Sequence, residues 1–150
     1  MAMEHIDCTE CLIRVTHSPE HYKNGVFANT AVSLDDLRVR GLSVDREQIT
    51  PFHVMAGRVA KQQEKRPAER ETPVYSRLTC GQVRAESDEA GESFFRVEAE
   101  PVLDDEFLPD NPGHAGIYAC NSKPDSHLRA IRVRLIAQLN NVVEECELCF

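Results

Sequence analysis

Apolar residues recur at helical spacing over the last part of the chain. Seven of them are separated by 3, 4, 4, 3, 4 and 3 residues: Leu128, Ile131, Leu135, Leu139, Val142, Cys146 and Cys149. This spacing places them on one face of an α-helix, while the neighbouring arginines lie mainly off that face. Pro124 suits the first turn, with Asp125 or Ser122 as the capping residue. The pattern predicts a long amphipathic helix that continues to the C-terminal cysteines.

Shorter apolar stretches predict β-strands. Alternation is clearest in SFFRVEAEPV (93–102), where apolar and charged residues take turns along the segment. Further strands are predicted over 11–16, 73–78 and 114–119. Prolines, glycines and the Asn24-Gly25 pair predict loops over 17–33, 87–92 and 104–113.

Two more helices are expected between these strands. Thr50 and Pro51 form a good helix start, and Phe52, Met55 and Val59 then space one apolar face up to about Lys65. A short helix over 79–86 would be capped by Thr79. The segment 33–46 is expected to be helical or extended, with an interruption at Gly41.

Together these elements predict a single α+β domain over residues 1–150. We expect a small, mostly antiparallel sheet of four or five strands with the long C-terminal helix packed on one face. A chain of 150 residues can bury a sizeable core without disulfides or a metal.

Composition narrows the classes of partner. The net charge of -8, from 25 acidic and 17 basic residues, disfavours nucleic acid and anionic membranes as partners. No apolar run approaches the ~20 residues of a membrane span, and the N-terminus lacks the pattern of a signal peptide. We therefore expect a cytoplasmic protein with reduced cysteines and another protein as its partner, and its oligomeric state stays open.

A C-x-x-C pair lies at each end of the chain. Cys8 and Cys11 form CTEC, and Cys146 and Cys149 form CELC. Four thiolates from two such pairs are one way to bind zinc. The alternative is packing, because cysteine is often buried as a small hydrophobic residue and Cys146 and Cys149 continue the helical stripe. The choice between a zinc site and no metal stays open; a redox role for CELC is disfavoured by its acidic surroundings.

Two polar segments contain the other candidate residues, GLSVDR (41–46) and DNPGHAGI (110–117). If they meet, His114 could act as a general base oriented by Asp45, Arg46 could bind an anion, and Asn111 could orient the ligand. His17 and His21 could join this group. Each residue also has a structural interpretation, since Asp-Asn-Pro-Gly is a good turn and Asp45 next to Arg46 could form a buried pair.

The same two segments resemble a group of small uncharacterised bacterial proteins. These share an L-S-x-D-R segment followed by an L-P-D-N-P-x-H-A segment, and the resemblance covers residues 41–117 loosely. The group has no established activity, so the resemblance implies no mechanism, and the cysteine pairs are not part of it.

Two functions follow as hypotheses. The first is a non-enzymatic accessory or protein-binding module, with or without a zinc staple, and it predicts no pocket around Asp45 and His114. The second is a small hydrolase or group-transfer enzyme acting on an anionic substrate through Asp45, Arg46 and His114. The arginines at 38, 40, 46 and 58 and Lys61 form either a basic patch or a solvated face. We favour the binding module, since no specific catalytic motif is present in the sequence.

Overall fold

The computed structural model describes residues 5–121 and 123–149, and within these ranges a six-stranded antiparallel sheet forms the centre of the fold. The elements in chain order are β1 (Cys11–Pro19), β2 (Tyr22–Lys23), β3 (Val26–Phe27), β4 (Leu42–Arg46), α1 (Phe52–Lys65), β5 (Arg70–Thr79), α2 (Cys80–Ala85), β6 (Phe95–Ala99), β7 (His114–Ala119), α3 (Asp125–Leu139) and β8 (Val142–Val143). Short turns of 3₁₀-helix cover Asn29–Ala31 and Glu145–Glu147, and a π-helix covers Asp36–Arg40. The predicted α+β class is confirmed.

The strands lie side by side in the order β6-β7-β4-β1-β5-β8, and β2 pairs with β3 as a separate hairpin. β1 is central and pairs with β5 from Cys11 opposite Thr79 to His17 opposite Pro73. This pairing explains why β1 reaches Pro19 although residues 17–33 were expected to be loop: β5, which begins at Arg70, supplies the backbone hydrogen bonds.

The amphipathic helix α3 covers one face of the sheet, as predicted. Its stripe is buried, with Leu128, Ile131, Leu135 and Leu139 each at most 3% exposed. These side chains share a hydrophobic core with alternate residues of the strands, including Leu12, Val44, Val74, Leu78 and Ile117. The apolar residues that alternate along the strands and those that repeat at helical spacing in α3 therefore pack together in one aliphatic core.

The other face of the sheet is covered by α1, a helix that the sequence predicted up to about Lys65 but did not assign to a face of the sheet. Met55 is fully buried and clusters with Ile13, Tyr75 and Val143 from that face. Ile13 and Leu12 are neighbours in β1, so they point to opposite faces. The sheet is thus buried on both sides, and side chains of β4 that point away from α3 meet α1.

α3 is shorter than predicted, and its continuation to the cysteines is wrong. The helix ends at Leu139, and Val142–Val143 then pair with β5 opposite Ser76 and Tyr75. The Ser76 hydroxyl donates a hydrogen bond to the Leu139 carbonyl, 2.7 Å away. The acidic residues that follow, Glu144, Glu145 and Glu147, are unfavourable near a helix C-terminus. Two adjacent valines also favour a strand. Pairing with the edge of the sheet therefore replaces the last helical turns that were predicted.

Helix starts follow the prediction in part. Thr79 caps α2, since its hydroxyl accepts a hydrogen bond from the Gln82 N–H at 3.2 Å. Pro51 and Pro124 precede α1 and α3 without a side-chain cap, so Asp125 does not cap α3, and Ser122 lies outside the described residues. In the described ranges, no helix combines the length and the apolar character needed to cross a membrane.

A buried histidine in β1, His17, and a partly buried one in the following turn, His21, make stability depend on pH. The His17 ring contacts the Gln62 side chain at 2.8 Å, and His21 Nδ1 accepts a hydrogen bond from the His17 N–H. Burial lowers the pKa of His21 to about 4, although Glu20 opposes this shift. Burial lowers the pKa of His17 as well. Both rings are therefore held neutral in the folded chain at pH values where free histidine is protonated.

We expect the free energy of unfolding to fall as the pH is lowered from about 6.5 towards 4. In this window the unfolded chain binds protons on both histidines that the folded chain binds weakly, so stability rises with pH at up to about 1.4 kcal/mol per pH unit for each histidine. Urea unfolding at pH 7.5 and pH 5.0 measures the effect. The His21→Gln variant should lose less stability between the two pH values than the natural protein, whereas His5→Gln, at an exposed position, should lose the same amount as the natural protein. Equal losses of stability in the natural protein and both variants would contradict this explanation.

Candidate functional site

Asp45 lies where β4, α1 and the loop before β7 meet. It is opposite Ile13 of β1 and opposite His114 of β7, so its side chain is on the face of the sheet that α1 covers. The residue is 1% exposed. A carboxylate buried to this degree requires charged or hydrogen-bonding partners.

Those partners come from two different elements. The Arg58 guanidinium on α1 donates to both carboxylate oxygens of Asp45, with Nη1 at 3.1 Å from Oδ1 and Nη2 bonded to Oδ2. The Asn111 side-chain amide donates to Oδ1 from 3.1 Å. Such two-pronged pairing of arginine with a carboxylate fixes orientation as well as charge. Asp45 therefore links the helix to the loop.

The loop itself is closed at its base. Val102 and Asn111 exchange backbone hydrogen bonds of 2.9 and 2.7 Å, and the Asn111 side-chain oxygen accepts from the Gly113 N–H at 3.0 Å. The Gly113 carbonyl accepts from the Arg46 N–H at 2.7 Å. A Cβ at position 113 would lie 2.1 Å from the Thr50 hydroxyl oxygen, so glycine permits this close approach. The segments 41–46 and 110–117 thus meet, as hypothesised.

A cavity of about 320 Å³ lies between α1 and this loop; we call it the α1-loop pocket. It is lined by His53, Val54, Gly57, Arg58, Lys61, Val102, Leu108, Pro109, Asn111 and His114. Its walls are mainly apolar. Among these described lining residues every titratable side chain is a base, which differs from the acidic balance of the whole chain. The charge of Arg58 is balanced by Asp45, so Lys61 and the two histidines are the remaining bases. The pocket therefore suits an apolar group with a negative charge beside it.

Arg46 does not reach this pocket. Its side chain points to the opposite face from Asp45, and Nε and Nη2 donate to the two Glu10 carboxylate oxygens at 2.8 and 2.9 Å. Partial burial opposes ionisation of Glu10, but the bonds from Arg46 and from the Asp7 N–H leave its pKa below the usual range. Arg46 therefore has an internal anion already, and the expected role in binding an external one is not supported by this geometry.

His114 lines the pocket, so the expectation of no pocket around Asp45 and His114 is wrong. Its ring is held by neighbours other than Asp45. Its Nδ1 lies 3.0 Å from the Glu100 carbonyl, and Nε2 lies 3.4 Å from the Ser43 hydroxyl. Because a carbonyl oxygen only accepts hydrogen bonds, Nδ1 is the donor in the contact with Glu100. Nε2 is the ring nitrogen that faces the Ser43 hydroxyl. The Asp45 carboxylate is directed at Arg58 and Asn111 instead. The hypothesised base and its orienting acid are thus close neighbours in the sheet without forming that pair.

One cysteine of each pair, Cys11 and Cys149, contacts Glu47 in another part of the molecule. The Glu47 N–H donates to the Cys11 carbonyl at 3.0 Å, and the Cys149 N–H donates to the Glu47 carboxylate at 2.9 Å. Burial opposes ionisation of Glu47, but Arg77 and the Cys149 N–H lower its pKa. Glu47 therefore joins the start of β1 to the C-terminal segment.

The exposure of the cysteines excludes one of their two interpretations, packing of the C-terminal pair in the core. Cys8, Cys146 and Cys149 are exposed, Cys11 is half-buried, and all are free thiols. Packing of Cys146 and Cys149 in the core is therefore wrong, because the stripe of α3 ends before them. Residues 5–121 and 123–149 contain no group of three or more His, Cys, Asp or Glu side chains arranged to hold a metal. The zinc site stays a prediction. Cys80, by contrast, is buried, and burial raises the pKa of its thiol to about 11.

Several pocket residues, including His53 and Gly57, were missed from the sequence, whereas Arg58 and Lys61 were named there as part of a basic patch or a solvated face. His53, Gly57 and Lys61 are spaced by four residues along α1, which puts them on one face beside the buried stripe. That spacing was visible in the sequence, whereas the loop wall of Leu108 and Pro109 was not. His17 and His21 lie instead by Gln62 and Glu20.

Comparison with known proteins adds no assignment to this geometry: no family model, no curated protein and no solved structure matches the chain.

Proposed function

We propose that this protein is a non-enzymatic binding module that accepts a segment of a partner protein in the α1-loop pocket. The observation that carries the proposal is the composition of the pocket lining. Apolar walls from Val54, Val102 and Leu108 accompany Lys61 and two histidines, so the fitting segment has an apolar side chain next to acidic residues. A volume of about 320 Å³ is at the small end of ligand pockets, which run from roughly 300 to 1,000 Å³.

The enzymatic alternative receives less support from the same geometry. Asp45 is committed to Arg58 and Asn111, and Arg46 is committed to Glu10. A general base and an anion-binding arginine in one open cleft were the features on which that hypothesis depended. Of Asp45, Arg46 and His114, it is His114 that lines the pocket, where its ring contacts the Glu100 carbonyl and the Ser43 hydroxyl.

Gly57 allows the pocket to be filled without disturbing the fold. It lies on α1, and a Cβ there would meet nothing within 4 Å. Glycine in a helix interior is also unfavourable by roughly 0.5–1 kcal/mol relative to alanine. A leucine at this position should therefore occupy pocket volume and leave α1 at least as stable as before.

The test is the affinity of a labelled acidic peptide, EELFEE, measured by fluorescence anisotropy. We expect the natural protein to bind it more tightly than the basic peptide KKLFKK, and less tightly as salt screens the charges. Gly57→Leu should weaken binding at least tenfold, about 1.4 kcal/mol. Ala60→Leu, an exposed position of α1 outside the pocket lining, should bind as the natural protein does. Equal binding of both peptides, or no effect of Gly57→Leu, would contradict the proposal.

A further inference from the structure

The charges around the α1-loop pocket are divided between its two walls. The bases that line it come from α1 and from the start of β7: His53, Arg58, Lys61 and His114. The facing wall belongs to residues 103–110, LDDEFLPD, which we call the acidic loop. Among the described lining residues, the acidic loop contributes Leu108 and Pro109 and none of its carboxylates. A ligand therefore meets positive charge on the α1 side and apolar contacts on the loop side.

The acidic loop keeps its negative charge although its carboxylates bind its own backbone. The Asp105 carboxylate accepts hydrogen bonds from the N–H groups of Phe107 and Leu108 at 2.8 and 3.0 Å. The Asp104 N–H donates to the Asp110 side chain at 3.0 Å. Because these donors are neutral, they leave the charges uncompensated, and acidic residues of a ligand that lie over this loop are repelled. The negative charge of a ligand therefore belongs on the α1 side.

On the α1 side, Lys61 is the full positive charge that remains for a ligand. Arg58 is balanced by Asp45, whereas Lys61 forms no ion pair with another residue that the structure describes. His53 and Lys61 are both exposed, and about 12 Å of helix separates them. Gly57 lies midway, and a Cβ there would meet nothing within 4 Å. The space over Gly57 between the two bases suits one small anionic group.

The ligand that meets these conditions has an apolar group and a single carboxylate on the same residue. In an internal peptide segment, an acidic side chain belongs to a different residue from the apolar one. At the C-terminus of a chain, the α-carboxylate and the last side chain are attached to one Cα. A pocket of about 320 Å³ is at the small end of ligand pockets, which suits one residue better than a long segment.

We infer that the α1-loop pocket binds the C-terminal residue of a partner chain. The inference rests on the proposed function and specifies the ligand of the same site. The last side chain lies against the apolar walls, and the α-carboxylate lies over Gly57, between His53 and Lys61. The preceding residues leave the pocket in one direction only, so they do not have to cross the acidic loop. Capture of a C-terminal carboxylate is a recurring mode of peptide recognition.

Two peptides that differ in one group test the inference. Both have the sequence GSGSLF with a label at the N-terminus; one ends in a free carboxylate and the other in an amide. Fluorescence anisotropy should show that the free acid binds the natural protein at least about fivefold more tightly than the amide, with a preference that shrinks as salt is added. Equal affinities of the two peptides would overturn the inference.

Two lysine variants locate the carboxylate. Lys61→Ala removes an exposed side chain, so the variant folds, and its preference for the free acid should fall to about twofold or less. Its affinity for the amide should equal that of the natural protein. Lys65→Ala removes the same charge at an exposed position of α1 outside the pocket lining and should keep the full preference. Loss of the preference in both variants, or in neither, would contradict the position assigned to the carboxylate.

A small apolar acid without a peptide backbone tests the source of the carboxylate. Hydrocinnamate should displace labelled GSGSLF at least about tenfold more weakly than the unlabelled peptide does, because it lacks the contacts of the preceding residue. If hydrocinnamate displaced the label as well as the peptide does, the ligand would be a free acid and the partner chain would be wrong.

The peptide EELFEE separates this inference from the proposed function. If the free acid and the amide bind alike, while EELFEE binds and Gly57→Leu weakens it, the proposed function stands and only the terminal carboxylate is wrong. If none of these peptides binds, both proposals fail.

Discussion

Replacement of Asp45 by alanine is expected to lower the free energy of unfolding by about 2–4 kcal/mol. The change leaves the Arg58 guanidinium and the Asn111 amide without their buried acceptor, and breaking a buried ion pair by removing one partner costs roughly 3–5 kcal/mol. The Arg58 side chain is 31% exposed, so it can regain some hydration, which reduces the expected loss.

Urea unfolding of the Asp45→Ala variant measures this loss, and peptide affinity reports the site. Because Asp45 joins α1 to the loop, the variant should also lose binding of EELFEE under conditions where it is still folded. Asp35→Ala removes an aspartate whose side chain is 73% exposed and should change stability by less than about 0.5 kcal/mol. If Asp45→Ala were as mild as this control, the link between helix and loop would not contribute as described.

Replacement of Leu135 by alanine is expected to cost about 2–5 kcal/mol, the range for deleting a buried leucine side chain. Leu135 is fully buried at the centre of the α3 stripe and belongs to the main core cluster. Loss of its methyl groups leaves a cavity between α3 and the sheet. The midpoint of chemical denaturation should shift without a change in its slope, because the surface exposed on unfolding is nearly the same.

The matched control for Leu135 is Val133, two residues away on the outer side of α3 and 58% exposed. Val133→Ala should change stability by less than about 0.5 kcal/mol. Comparable losses in the two variants would mean that α3 does not pack through the stripe.

The parts of the fold that local pattern predicts are those where one residue spacing dominates. Leu128 to Leu139 repeat at helical spacing, and Phe95 to Ala99 alternate, so α3 and β6 were expected where they occur. The end of α3 was predicted wrongly because Val142 and Cys146 keep the spacing while Val142 and Val143 also suit a strand. Pairing of these valines with Tyr75 and Ser76 is a long-range interaction, and spacing within the helix contains no information about it.

The candidate site, like the fold, was predicted from the sequence only in part. Asp45, Asn111 and His114 were recognised as residue types that could meet, and the structure brings their segments together. Their partners were not predictable: Arg58 reaches Asp45 from α1, and Glu10 engages Arg46 from before β1. Each of these pairs depends on which face of the sheet a side chain occupies, and that follows from strand register.

The location of the bound peptide tests the central claim most directly. We would titrate isotopically labelled protein with EELFEE and follow the backbone amide shifts by NMR. The account predicts that the largest shifts cluster at residues 53–61 of α1 and 102–114 of the loop and first residue of β7, and that they disappear in the Gly57→Leu variant. Shifts confined to another surface, such as the Glu47 contact between the start of β1 and the C-terminal segment, or shifts unchanged by Gly57→Leu, would contradict it.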